Sequence, residues 1–97
     1  MHIISRQKLA QFWTVHSDAE DALKAWFKEA DHAQWTTPVQ ITARYPTADL
    51  LPGNRIVFNI KGQHYRLVVK IHYNTGAIYI RFVGTHEEYN KINAETI

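Results

Sequence analysis

The chain contains no cysteine. That excludes a disulfide scaffold and any thiolate-bound metal, and it suits a reducing compartment. No apolar run approaches the roughly 20 residues that span a bilayer. The N-terminal stretch Met1-His2-Ile3-Ile4-Ser5-Arg6 is broken by Arg6 and Lys8 and does not read as a signal peptide, so a cytoplasmic protein is expected. Repeats and low-complexity segments are missing. Acid is missing from one region in particular: between Arg55 and Arg81 there are five Lys or Arg and no Asp or Glu.

Against these absences stand 45% hydrophobic and 12% aromatic residues in a chain of 97. That is enough for one domain, residues 1–97, with a modest core. The net charge of +2 and pI of about 9.0 describe an ordinary, mildly basic protein. The distribution says more than the total. Five acidic residues fall between Asp18 and Asp31 and three follow His86, leaving the middle of the chain to the cations. Such separation points to a polyanionic partner.

Residues 2–4 are compatible with a short strand. Ser5 is placed to cap a helix running to about His16, with Leu9, Phe12 and Trp13 at helical spacing. Ser17 and Glu20 have the spacing of a capping box for a second helix. Its apolar stripe is Ala19, Ala22, Leu23, Trp26, Phe27 and Ala30, and Glu20–Lys24 is a supporting pair on the other side. Pro38 begins a short third helix capped by Thr37, with Val39, Ile41 and Ala43 expected inward. Tyr45-Pro46 ends it, and residues 46–53 read as a loop.

Residues 54–89 then read as three antiparallel strands and a short terminal helix. Ile56, Phe58 and Ile60 share one face of the first strand; Arg55, Val57, Asn59 and Lys61 share the other. In the second, Tyr65, Leu67, Val69, Ile71 and Tyr73 oppose His64, Arg66, Val68, Lys70 and His72. In the third, Ile78, Ile80 and Phe82 oppose Tyr79, Arg81 and Val83. A turn at Lys61-Gly62 pairs Phe58 with Tyr65 and Asn59 with His64. A turn at Thr75-Gly76 pairs Ile71 with Ile80, Lys70 with Arg81, and Arg66 with Thr85. Core meets core in this register, and a one-residue slip would place Ile or Phe against Arg or His. One sheet face is then apolar, for the helices, and the other basic.

Like charges such as Lys70 and Arg81 directly across a ladder repel. With Arg55, Lys61, His64 and Arg66 on the same face and no carboxylate among them, phosphate binding explains the pattern better than a solvated face of mixed charge. At one end of the face Arg66, His86 and Tyr89 converge. The six histidines form no HxxxH or HxH pair, and His64 and His72 stand roughly 27 Å apart along a strand, so no metal site and no cofactor is expected. RNA cleavage needs neither. The 2′-OH attacks the adjacent phosphate, a base takes its proton, an acid protonates the leaving 5′-oxygen, and cations stabilise the phosphorane. His86 suits proton transfer, since imidazole titrates near neutrality. Arg66 suits bidentate phosphate binding, Lys61 electrostatic stabilisation, and Tyr89 stacking or hydrogen bonding. Arg55, Asn59, His64, Lys70 and Arg81 are then candidate RNA contacts. So few acid–base groups imply slow cleavage of free RNA and a larger machine to position it.

The segments Val57-Phe58-Asn59-Ile60, Tyr65-Arg66-Leu67-Val68-Val69, Tyr79-Ile80-Arg81 and Thr85-His86-Glu87-Glu88-Tyr89 resemble, in order and spacing, the HigB family of bacterial toxins within the RelE-like superfamily. The resemblance implies an α+β, RelE-like fold with N-terminal helices packed on one face of a small antiparallel sheet. It implies a ribosome-dependent endoribonuclease that cuts translated mRNA. It also implies a helix-turn-helix antitoxin of the HigA type, through which the pair binds operator DNA, and no membrane. Arg66 matches the family's central strand arginine, and His86 and Tyr89 its C-terminal His and Tyr. Many RelE-like relatives carry arginine at the position of His86. Lys61 and Lys70 rest on strand parity instead. Two other readings use the same residues: a non-catalytic RNA- or ribosome-binding module, and a purely structural protein–protein module.

Overall fold

The computed structural model describes residues 1–97. In chain order it comprises β1 (His2–Ile4), α1 (Arg6–Val15), a 3₁₀ turn (Ser17–Ala19), α2 (Glu20–His32), α3 (Pro38–Arg44), β2 (Asp49–Leu51), β3 (Arg55–Ile60), β4 (Tyr65–His72), β5 (Ala77–Thr85) and α4 (His86–Tyr89). The five strands form one sheet in the order β1-β5-β4-β3-β2. The fold is α+β, as expected, but the sheet is mixed, because β1 runs parallel to β5. No helix is long and apolar enough to cross a membrane.

The helices pack where the alternation of the strands directs them. Leu9, Leu23, Trp26, Ala30 and Ile41 bury against Ile56, Phe58, Ile60, Leu67, Val69, Ile71, Ile78 and Ile80. Phe58 is the hub of this layer, with Trp26 edge-on at 5.4 Å and Tyr45 at 5.1 Å between centroids. Each fully buried aliphatic or aromatic side chain here contributes about 1.5–3 kcal/mol.

Several local expectations are corrected. Ser5 holds the cap position of α1 with φ of 76° and makes no capping bond through its side chain. Ser17 lies in the 3₁₀ turn, and α2 starts at Glu20 without a side-chain cap. In α3 only Ile41 turns inward. Val39 is 72% exposed and Ala43 is exposed, since residues two apart cannot share one face of a helix. Residues 46–53 are not all loop, because β2 pairs with the outer edge of β3.

The strand registers differ too. The connection between β3 and β4 is a four-residue turn, Lys61–His64, so the ladder ends on the core pair Ile60–Tyr65. Phe58 therefore faces Leu67, and Asn59 faces Arg66 rather than His64. Lys61 and Gly62 both take positive φ, 52° and 65°, to make this turn. The shift is two residues, so parity survives. Between β4 and β5 the shift is not uniform. Ile71 pairs with Ile78 and Lys70 with Tyr79, but a bulge at Val68/Val69 makes Val68 pair with Phe82 and Arg66 with Gly84. Arg81 is the extra residue, and beyond it the faces of β5 are exchanged. Val83 joins the helix-side core, and Phe82 joins the opposite face.

That opposite face is not uniformly basic. Val57 and Val68 are fully buried on it, beneath Ala94 and with Leu51, Phe82, Tyr89 and Ile97 around them. The segment after α4 folds back across the middle of the sheet and divides the cations into separate groups.

Candidate functional site

Arg66 stands on β4, the central strand, between Asn59 on β3 and Gly84 on β5. Gly84 has room for no side chain: a Cβ there would lie 2.5 Å from the Phe82 ring and 3.0 Å from Glu88 Oε1. The chain therefore turns closely from β5 into α4. Thr85 caps that helix, accepting from the Glu88 N–H at 3.1 Å while its own N–H donates to Glu88 Oε1 at 2.8 Å. The backbone bond from Thr85 holds the Glu88 carboxyl below the usual carboxylate range. The cap fixes the orientation of α4, and the i, i+3 spacing puts His86 and Tyr89 on one side of it.

Both side chains meet Arg66. Its Nη2 lies 2.8 Å from His86 Nε2, and its guanidinium sits over the Tyr89 ring at 5.1 Å from the centroid. The His86 and Tyr89 rings are 6.4 Å apart. Guanidinium only donates. For this contact to be a hydrogen bond His86 Nε2 must accept, as it does in the tautomer that carries its proton on Nδ1. Asp49, in β2, is 3.6 Å from Arg66 Nη1 but is 61% exposed and holds it weakly. Arg66 itself is only 15% exposed. Its Nε is buried without a hydrogen-bond partner, as is the Oδ1 of Asn59, the residue opposite it in the ladder.

The other candidates lie elsewhere. Lys61 pairs with Asp18 at 2.8 Å, and Tyr65 Oη also donates to that carboxylate. These two bonds, Lys61 first, hold the Asp18 carboxyl below its ordinary range, and the bond to Asp18 pushes the Tyr65 phenol up. Lys61 is thus bound to the helix layer and is not gathered with Arg66, which corrects its place in the predicted cluster. Asn59 Nδ2 donates to Thr47 O at 3.1 Å. His64 is exposed in the turn. Arg55 donates through Nε to Ile97 O at 2.8 Å, tying down the returning C-terminal segment. Lys70 faces Arg55 and Tyr79, not Arg81, and lines a cavity of about 500 Å³ with His72 and Asn74. Arg81 is exposed at the bulge, beside α1. No three His, Asp or Glu side chains gather closely enough to hold a metal ion.

The sequence reading missed Asp49, Gly84, Phe82 and the covering residues Ala94 and Ile97. Asp49 lay in a stretch rich in proline and glycine that hid its strand. Gly84 carried a usable signal, a glycine inside an otherwise β-branched and aromatic run.

Among curated proteins none matches the chain. A family model does: the HigB toxin, described as the RelE-like toxic component of a toxin–antitoxin system, matches residues 19–92 of the 97. The match runs from the start of α2 through α4 and so includes Arg66, His86 and Tyr89. The chain therefore belongs to the HigB toxin family and is a toxin with an antitoxin partner.

Proposed function

We propose that the protein is a ribosome-dependent mRNA endonuclease that cleaves by metal-free attack of the 2′-OH, arresting translation and growth. The observation that carries this reading is the contact between Arg66 Nη2 and His86 Nε2, with the guanidinium over the Tyr89 ring. It couples a phosphate-binding cation to an imidazole at one point on an open surface. None of the three surface cavities is lined by Arg66, His86 or Tyr89, which suits a substrate presented by a larger particle.

A phosphodiester entering here competes with His86 for the guanidinium. Arg66 is the stronger ligand for two phosphate oxygens, and its withdrawal frees the Nε2 lone pair. His86 then takes the 2′-OH proton as O2′ bonds to phosphorus. The P–O5′ bond breaks, and the 5′-oxygen takes a proton from water. The products are a 2′,3′-cyclic phosphate and a 5′-hydroxyl end. Arg66 stabilises the charge on the phosphorane, where a preformed donor has most effect, and Tyr89 supports the guanidinium or stacks on a base. Lys61, held by Asp18, acts at a distance if at all. Translated mRNA as substrate places the activity in the cytoplasm, and a helix-turn-helix antitoxin of the HigA type is the expected partner on operator DNA.

The test is induced expression with mapping of mRNA ends. Wild-type protein is expected to produce new 5′ ends within translated frames. Arg66→Ala and His86→Ala are expected to remove them while folding and antitoxin binding persist. Growth arrest without new ends would favour the non-catalytic binding module on the same residues and overturn the nuclease reading.

A further inference from the structure

β1 covers only the first part of the outer edge of β5: His2, Ile3 and Ile4 pair with Ala77, Ile78 and Tyr79. From Ile80 to Thr85 the strand pairs with β4 on one side and with no strand on the other. Lys8 Nζ closes the start of this edge by donating to Ile80 O at 3.4 Å. Beyond it a cavity of about 430 Å³ runs between α1 and β5, lined by Lys8, Phe12, Val15, His16, Arg81 and Val83. Val15 is 78% exposed, more than any other large apolar residue of the chain. Neither Lys8 nor Arg81 takes part in any of the ion pairs. The only carboxylate here, Glu88, already accepts from the Thr85 N–H.

We propose that this edge and cavity form the docking surface for an extended, acidic segment of the antitoxin, laid along β5 as an added strand. The open backbone of residues 81–84 would supply ladder hydrogen bonds over roughly 13 Å. Side chains on one face of such a segment alternate by two, so a carboxylate can meet Arg81 or Lys8 while an aliphatic neighbour covers Val15 and Val83. An RNA strand would use the cations but leave the apolar residues and the backbone edge unmatched. The edge ends at Thr85, the cap of α4, so an occupant here reaches the helix that carries His86 and Tyr89 without having to cover Arg66. The inference rests on the family's antitoxin and not on the nuclease reading.

The test is amide hydrogen exchange, read by NMR, on the toxin alone, with its co-produced antitoxin, and with a single-stranded RNA oligonucleotide. Amides of residues 81–84 are expected to gain protection with the antitoxin and not with RNA. Arg81→Glu and Val15→Asp, both at exposed positions, are each expected to weaken the complex by about tenfold or more, against a Lys28→Glu control on α2. Unchanged exchange in the complex, protection by RNA in its place, or a loss below about twofold in both variants would overturn the proposal. Cleavage of mRNA is scored separately, so failure of either idea leaves the other readable.

Discussion

Arg66 Nη2 donates to His86 Nε2 at 2.8 Å, so the strand that carries the phosphate-binding cation and the helix that carries the imidazole are joined at their functional atoms. The contact depends on three separate features: the two-residue shift that sets Asn59 opposite Arg66, the bulge that sets Gly84 on its other side, and the Thr85 cap that aims α4. The imidazole is held ready rather than exposed, and the guanidinium is preorganised at little cost in side-chain entropy.

Arg66→Lys keeps the charge and loses the planar fork. A lysine is a point charge on a flexible stem and cannot hold two phosphate oxygens in one plane. Cleavage is expected to fall by about 10²–10³-fold, close to the loss in Arg66→Ala. Single-turnover cleavage on translating ribosomes measures it, with thermal unfolding to show that the fold persists. Near-wild-type cleavage by the lysine variant would mean that charge alone suffices.

Tyr89 separates stacking from hydrogen bonding. Its ring lies under the Arg66 guanidinium and beside Phe82, at 6.5 Å between centroids, while its hydroxyl has no partner within the protein. Tyr89→Phe keeps the ring and is expected to retain most activity. Tyr89→Ala loses the cation–π contact, about 0.5–2 kcal/mol, and part of the packing over Val57 and Val68. Equal losses in both variants would assign the role to the hydroxyl.

The alternation of β3 and β4 was legible from sequence because parity depends only on which residues are apolar. The helix-side core follows from it almost residue for residue. Register was not legible, because turns of two and four residues conserve parity equally well and only three-dimensional packing decides between them. The bulge at Arg81 was invisible for the same reason: it reverses Phe82 and Val83, and both are apolar on either assignment. Arg66, His86 and Tyr89 could be brought together because strand direction and helix spacing carry them to one end of the sheet. Lys61 was misplaced because its partner, Asp18, is 43 positions away and no local pattern signals a contact of that range.

Acid sensitivity is expected to run through Asp18. Lys61 and Tyr65 hold its carboxyl below the ordinary value of 3.8. A carboxylate depressed in the folded state stabilises the protein above its unfolded pKa, and that contribution disappears as pH falls through the lower folded value. Asp18→Asn is therefore expected to lower the thermal midpoint at pH 7 and to flatten its decline as pH falls below about 4. Because Asp18 and Lys61 are both solvent-exposed, the effect should shrink with added salt. An unaltered acid limb in the variant would assign the acid sensitivity to other carboxylates, with Glu88 next in line.

Gly84→Ala tests whether the close turn from β5 into α4 sets the site. The added methyl would meet the Phe82 ring at 2.5 Å and Glu88 Oε1 at 3.0 Å. Phe82 cannot swing aside freely, because it packs with Val57, Val68 and Ala94 on the covered part of the sheet. Glu88 cannot move without releasing the Thr85 N–H. Overpacking of this kind costs about 1–3 kcal/mol, read as a shifted urea midpoint with unchanged slope. The cap, not the core, should yield first, so α4 is expected to tilt and to lengthen the contact between Arg66 and His86. Cleavage should then fall by more than the population of unfolded protein explains. A variant that is less stable but fully active when folded would show that α4 finds its place through Tyr89 packing alone, without the Thr85 cap.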